Sequence, residues 1–157
     1  MLFWEAPLVA AIQSYCDYLK GNGQRLHLET GQEAAENLLA FLKDVGRDNI
    51  FINFDPANLI LYGMGAPIES LKKVAKYVRS CYCKDALATT GTPGVDWGTE
   101  VPFGQGQVDA KLFLKTLKEL GYEGPLTIER EIPEEPERQK AEIGQALELI
   151  ESIKASI

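Results

Sequence analysis

Asn49-Ile50-Phe51-Ile52-Asn53-Phe54-Asp55-Pro56-Ala57-Asn58 reads as a short strand running into a polar knot. Ile50, Ile52 and Phe54 share one face at a period of two, while Phe51, Asn53 and Asp55 share the other. Three other apolar runs finish the same way: Leu26-His27-Leu28-Glu29, Val78 through Lys84-Asp85, and Leu126-Thr127-Ile128-Glu129. If these four strands lie parallel, their ends gather Glu29, Asp55 and Glu129 into one acidic cluster.

The segments between them read as helices. Pro7 to Lys20 carries Leu8, Ile12, Tyr15 and Leu19 on a helical stripe, and Gly21-Asn22-Gly23 stops it. Thr30 is expected to cap the next helix, with Glu33 as its capping-box partner, and Gly46 to close it after Val45. Pro67 suits the first turn of a helix to about Tyr77. A helix over Asp109–Leu120 precedes the fourth strand. The last helix, about Glu137 to Ile153, is expected to bury Ile143, Leu147 and Ile150. The stretch from Ala86 to Gln107 is rich in Gly, Thr and Pro and reads as one long connection, a length more typical of functional loops than of passive ones.

Strands alternating with helices imply right-handed βαβ units in a parallel sheet. In an open doubly wound sheet both faces are covered and strands are apolar throughout. Here one face is apolar and the other carries His27, Glu29, Asn53, Asp55, Ser80, Tyr82, Lys84, Thr127 and Glu129. A polar concave face backed by an apolar convex one fits the wall of a (β/α) barrel, whose active sites sit at the C-terminal strand ends. The expected fold is therefore a parallel α/β half-barrel, residues 1–157 forming a single barrel domain of which only one half is present. Four strands alone leave two open edges and a bare inner face. The expected partner is a missing half or, in a homo-oligomer, a second copy.

The 157 residues, 45% of them hydrophobic, suffice for one core, and the net charge of −7 offers no basic stripe to displace counterions from nucleic acid or to meet an anionic membrane. The apolar opening Met1–Ile12 carries Glu5, lacks a basic start and is shorter than the ~20 residues of a membrane span. Cys16, Cys81 and Cys83 form neither a disulfide framework nor a zinc pattern, and the last two are expected as buried thiols on one strand face. These features lead to an expected cytoplasmic protein with no nucleic-acid or membrane partner.

From Glu29 onward the residues resemble the sugar phosphate isomerase/epimerase group of the xylose isomerase-like TIM barrels. The resemblance rests on Leu28-Glu29-Thr30-Gly31-Gln32-Glu33, Asn53 to Asn58, Leu61-Tyr62-Gly63 with Ala66-Pro67-Ile68, and Cys83-Lys84-Asp85-Ala86. It continues through Trp97-Gly98-Thr99-Glu100-Val101-Pro102, Gly104 to Val108, and Gly121 to Pro125 leading into Ile128-Glu129-Arg130-Glu131. It implies that the four strands are strands five to eight, the C-terminal half of the barrel. It also implies a divalent metal held by Glu, Asp, His and Glu, which places metal ligands on Glu29, Asp55 and Glu129. The His position, two residues before the Lys-Asp pair, is Tyr82. A phenol, with an ordinary pKa of about 10, is a poor ligand at neutral pH. Three carboxylates still suit a hard cation such as Mn²⁺ or Mg²⁺, bound more weakly.

Isomerisation or epimerisation beside a carbonyl requires removal and return of a carbon-bound proton. The resemblance gives Glu29 and Glu129 that acid–base role, with the metal polarising the sugar oxygens. Asn58, Lys84 and Trp97 are candidate contacts for a sugar or sugar phosphate. Turn stabilisation by Asn58, carboxylate pairing by Lys84 and loop anchoring by Trp97 are equally open. Arg130 and Glu131 are read as structural, and His27, deeper on the inner face, as a hydrogen-bonded interior residue. The expected function is a sugar or sugar-phosphate isomerase/epimerase impaired by truncation and by Tyr82. The alternative is a non-catalytic half-barrel acting as an oligomerisation or binding unit.

Overall fold

The computed structural model describes residues 6–132 and 135–157. Helix α1 spans Ala6–Gly21, strand β1 Leu26–Glu29, α2 Ala35–Val45 and β2 Ile50–Phe54. They are followed by α3, Pro56–Leu61, then α4, Pro67–Val74, with a short 3-10 turn over Ala75–Tyr77. Strand β3, Val78–Cys83, leads into β4, Asp85–Leu87, and β5, Thr99–Val101; α5, Ala110–Glu119, β6, Leu126–Ile128, and α6, Pro136–Ser156, complete the chain.

Four strands form one parallel sheet in the order β1-β2-β3-β6. The long helices line its outer face in chain order, α1 beside α2, α2 beside α4, α4 beside α5 and α5 beside α6. This is the half-barrel that the period-two pattern implied. Ile50, Ile52 and Phe54 are buried under the helices, Phe54 stacking on Phe113 of α5 with centroids 6.2 Å apart, while Phe51 and Asn53 face the open side. Burying such side chains supplies ~1.5–3 kcal/mol each. Between Ile52 and Asn53 the pairing with β3 slips by one residue, Ile52 opposing Val78 and Asn53 opposing Ser80. That irregularity lets both Val78 and Cys81, an odd number of positions apart, point into the helical layer, where Cys83 follows them as a buried thiol.

Four expectations need correction. Thr30 does not cap α2; the helix starts after Ala34, which makes no side-chain cap bond, and the Thr30 hydroxyl is instead engaged by Asp55. At the other end Gly46 does close α2, at φ 58 in the left-handed region, its N–H bonding the carbonyl of Leu42. Second, the connection 86–107 is not irregular throughout: β4 and β5 pair as an antiparallel hairpin. Third, α1 buries Cys16, flanked by Val9 and Ile12, leaving Leu8 and Tyr15 exposed. Fourth, α6 buries Ala146, Ile150 and Ile153, with Ile143 and Leu147 turned to solvent. In both helices a small residue, Cys16 or Ala146, takes a buried position that the larger side chains of the pattern did not announce. Leu8, Tyr15, Ile143 and Leu147 are exposed, whereas Ile150 is buried as expected.

Among the described residues no helix is long and apolar enough to cross a membrane.

Candidate functional site

The strand ends converge through local chemistry. Asp55 follows β2 and serves as N-cap of α3, with Pro56 at the first helical position. Its Oδ1 accepts the N–H groups of Ala57 at 2.8 Å and Asn58 at 3.2 Å. Its Oδ2 is buried and finds no hydrogen-bond partner among the described residues; the nearest cation, Lys84 Nζ, stands 3.6 Å away. One carboxylate oxygen therefore builds the fold and the other faces the site.

Glu29 ends β1 and is oriented by Asn58, whose Nδ2 donates to Glu29 Oε1 and to the carbonyl of Thr30, both at 2.9 Å. Glu129 follows β6, its N–H reaching the carbonyl of Cys83 at 3.4 Å. Glu29, Asp55 and Glu129 each offer an oxygen within 4.8 Å of the others. Three carboxylates so close would repel one another strongly if all were ionised and uncompensated. Asp55 and Glu29 both hold their protons more tightly than usual, with loss of solvent the larger cause and neighbouring charge the smaller. Burial pushes Asp55 up to about 7, against the opposing pull of Lys84 and the cap N–H groups. Glu29 is also raised, by loss of solvent and by the charge of Glu129, with the Asn58 hydrogen bond working the other way.

Lys84 follows β3 and lies buried among these acids, 2.7 Å from Glu129 Oε2 and 2.6 Å from Glu131 Oε2. Burial alone would lower its pKa, but those two hydrogen bonds carry it above the ordinary lysine value. Tyr82, at the expected histidine position, is on the same inner face, its phenol raised by partial burial and by the charges of Glu129 and Glu29. His27 Nδ1 lies 3.0 Å from Ser80 Oγ and its ring meets Phe51 edge-on; the expected hydrogen bond is present, but the side chain is exposed on the open face of this sheet and not interior. Partial loss of solvent, with Arg25 and Arg79 nearby, lowers its pKa. Trp97 is not drawn into the acidic cluster; it is exposed on the hairpin, edge-on to Tyr62 at 5.3 Å.

Arg130 is structural as expected, buried and paired to Glu100 at 2.8 Å and Glu142 at 2.5 Å. Glu131, also read as structural, reaches the inner face, where its carboxylate pairs with Lys84. The signal was available: Glu131 is two residues past Glu129 and so shares its face at a strand period. Glu100 and Asp85 had no such signal. Asp85 is buried and accepts main-chain N–H groups from Ala86, Gly104, Gly106 and Val108 at 2.9–3.0 Å. A Cβ on Gly106 would stand 2.2 Å from Asp85 Oδ1, so glycine is required for that approach. This tie fixes the loop after β5, while the hairpin pairing of Ala86 with Glu100 sets Glu100 facing Lys84 at 3.7 Å.

The trio fits a hard divalent cation by its chemistry: all donors are carboxylate oxygens, and the buried Asp55 Oδ2 is left without a hydrogen bond on the side facing the other two. A parallel half-barrel wall with polar residues gathered at its C-terminal strand ends defines a class, the (β/α) barrels. Within that class, residues 5–153 match the xylose isomerase-like TIM barrel family, and the chain belongs to it. Over 97% of its length it superposes with TM-score 0.94, at 52% identity, on 54% of the xylose isomerase domain protein from Planctomyces limnophilus. A xylose isomerase-like TIM barrel protein from Mycobacterium smegmatis in complex with magnesium shares the fold, with TM-score 0.71 at 22% identity over 92% of this chain and 50% of that one. The chain is 28% identical to the L-ribulose 3-epimerase of Methylomonas sp. (strain DH-1) over 131 residues, 79% of this chain and 41% of the epimerase. It is 27% identical to the inosose dehydratase of Clostridium botulinum (strain Eklund 17B / Type B) over 115 residues, 67% of this chain and 38% of the dehydratase. The chain thus spans about two fifths of these curated relatives and about half of the solved barrels.

Proposed function

We propose that the chain supplies strands five to eight of a sugar isomerase/epimerase barrel and carries its metal-binding and proton-moving carboxylates. The observation that supports this best is the meeting of Glu29, Asp55 and Glu129 oxygens within 4.8 Å around a buried, unpartnered Asp55 Oδ2. Asp55 anchors Mn²⁺ or Mg²⁺, and Glu29 and Glu129 complete the ligand set. When bound, the cation polarises the carbonyl and adjacent hydroxyl of the sugar.

The chain's own residues do the remaining work. Glu29 and Glu129 follow the two edge strands of the sheet, their carboxylates converging on its inner face, and are suited to remove and return a proton on a carbon beside the carbonyl. The upward shift of Glu29 brings its carboxyl nearer the range in which it can both take and give a proton. Asn58 holds Glu29 in place. Trp97 and Tyr62 present an aromatic surface for the apolar face of a sugar or sugar phosphate. Three free, buried thiols accord with a reducing, cytoplasmic setting.

Calorimetric titration of Mn²⁺ into wild type and Asp55→Ala tests the site: saturable heat in the first and none in the second supports it, and indistinguishable traces sink it. A second reading has its own support. Tyr82 replaces the expected imidazole and an ammonium already lies beside the trio, as in a half-barrel kept for association or binding without catalysis. If Tyr82→His tightens Mn²⁺ by about tenfold or more, ~1.4 kcal/mol, while wild type shows no turnover of ketoses or ketose phosphates, this second reading prevails.

A further inference from the structure

Lys84 is only 3% exposed and touches four carboxylates that divide into two pairs. On one side are members of the metal trio, Glu129 Oε2 at 2.7 Å and Asp55 Oδ2 at 3.6 Å. On the other are two acids outside it, Glu131 Oε2 at 2.6 Å and Glu100 Oε2 at 3.7 Å. The outer pair differs in freedom. Glu100 is fixed, because its other oxygen accepts both Arg130 Nη1 and the N–H of Glu131 at 2.8 Å. Glu131 is 70% exposed, so its carboxylate can follow a moving partner.

We infer that Lys84 is the resident cation of the acidic cluster when no divalent ion is bound, and that Glu131 and Glu100 form a dock to which its ammonium withdraws when one binds. The inference rests on the reading of Glu29, Asp55 and Glu129 as metal ligands. Two reasons support it. Three close carboxylates, one of them the fully buried Asp55, need a compensating charge to coexist ionised, and Lys84 is the cation within ion-pair reach of two of them among the described residues. A divalent ion accepting those same oxygens would meet the ammonium within a few ångströms, and two like charges at that distance repel strongly at the low effective dielectric of such a site. A flexible four-carbon stem with three rotatable donors can resolve the conflict by shifting toward acids already in contact with it. The arrangement lets the cluster fold metal-free and weakens its hold on metal. It also gives Glu131 influence over metal affinity without making it a ligand.

Mn²⁺ binding, read by calorimetry and by the electron paramagnetic resonance signal of free Mn²⁺, is compared among wild type, Lys84→Met, Glu131→Gln and the double variant. Removing the ammonium is expected to tighten Mn²⁺ by about tenfold or more. Glu131→Gln is expected to weaken it several-fold in the wild-type background and to act within about twofold in the Lys84→Met background. A Lys84→Met chain that binds Mn²⁺ no tighter than wild type overturns the inference, as does a Glu131→Gln effect equal in both backgrounds, which would mark a plain through-space charge. Should Lys84→Met lose its native circular dichroism, Lys84→Gln carries the same comparison. In chelator it is expected to melt below wild type and to recover more than wild type on adding Mn²⁺. Failure of the underlying reading looks different: Mn²⁺ is then bound by no variant, or is bound unchanged by Asp55→Ala.

Discussion

The hydroxyl of Thr30 donates to the carbonyl of Asp55 at 2.9 Å and receives the Asp55 N–H at 2.7 Å, so one buried side chain ties the end of β1 to the residue that centres the site. Asp55 owes its place to this clasp on one side and to its own capping of α3 on the other. Thr30→Val keeps the shape and removes both bonds, leaving a buried N–H and C=O unpaired. The expected loss is ~1–3 kcal/mol of stability, a fall in melting temperature of roughly 3–10 °C for a chain of this size. Thr30→Ser should retain most of it. Thermal denaturation of the two variants separates them, and equal melting points would show that the clasp is not what holds the strand ends together.

Asp85 should behave as a structural acid although it neighbours the site. Each of its oxygens accepts two main-chain N–H groups, Oδ1 from Ala86 and Val108, Oδ2 from Gly104 and Gly106. Asp85→Asn turns one oxygen into a donor facing donors. The expected cost is ~3 kcal/mol or more, from two lost charge-assisted bonds and two stranded N–H groups. Native-state hydrogen exchange should show the amides of Gly104, Gly106 and Val108 opening first. Protection at these amides equal to wild type would contradict the assignment.

The pH dependence of the metal-free protein follows from Asp55. Its folded carboxyl is pushed up to about 7 by burial, whereas the unfolded chain titrates near the ordinary value of 3.8. Between these values the folded state holds a proton that the unfolded state has released. Stability therefore declines as pH rises from about 4 to about 7 and is flat beyond, the opposite of the usual behaviour of a salt-bridged aspartate. A shift of ~3 units corresponds to ~4 kcal/mol at full extent. Urea unfolding in chelator at pH 5 and pH 8 should show wild type less stable at the higher pH and Asp55→Asn nearly level. The same proton competes with metal, so Mn²⁺ should bind more tightly as pH rises through 7. A wild-type urea midpoint that climbs between pH 5 and 8 would rule out a raised Asp55.

Much of this architecture was written in local pattern. The alternation in Asn49–Phe54 and in Leu26–Glu29 named the buried face and the strand-end acids correctly, because a period of two leaves no freedom once one face is apolar. The caps were less legible. Thr30 followed by Glu33 has the spacing of a capping box, but the buried Asp55 backbone had the stronger need for that hydroxyl. Helix faces were less legible at Tyr15 and Leu147, large side chains that lie exposed while the smaller Cys16 and Ala146 are buried. The dock around Lys84 was the least visible. Glu100 is brought beside Lys84 by the hairpin, which pairs it with Ala86, and no periodicity encodes that pairing or a tie between one side chain and three distant main-chain amides.

The three thiols provide a readout of opening that does not depend on metal or substrate. Cys16, Cys81 and Cys83 are fully buried and free, and burial pushes both Cys81 and Cys83 up to about 12. At pH 8 the thiolate fraction of each is then roughly 10⁻⁴, and no reagent can reach it while the sheet is closed. Native protein should be inert to an aromatic disulfide reagent and should release three equivalents in urea. Labelling without denaturant should proceed only through transient opening, at a rate set by stability where opening is fast and reversible. Thr30→Val and Asp85→Asn, which loosen different parts of the wall, are thus expected to differ. Cys81 and Cys83 lie on the strand that runs directly into Asp85. If opening is global, both variants accelerate all three thiols in proportion to lost stability. If Asp85→Asn frees only the loop, its melting point falls while Cys16 under α1 keeps the wild-type rate. Rapid labelling of Cys81 or Cys83 in the native wild type would mean that the parallel wall does not seal its helical face.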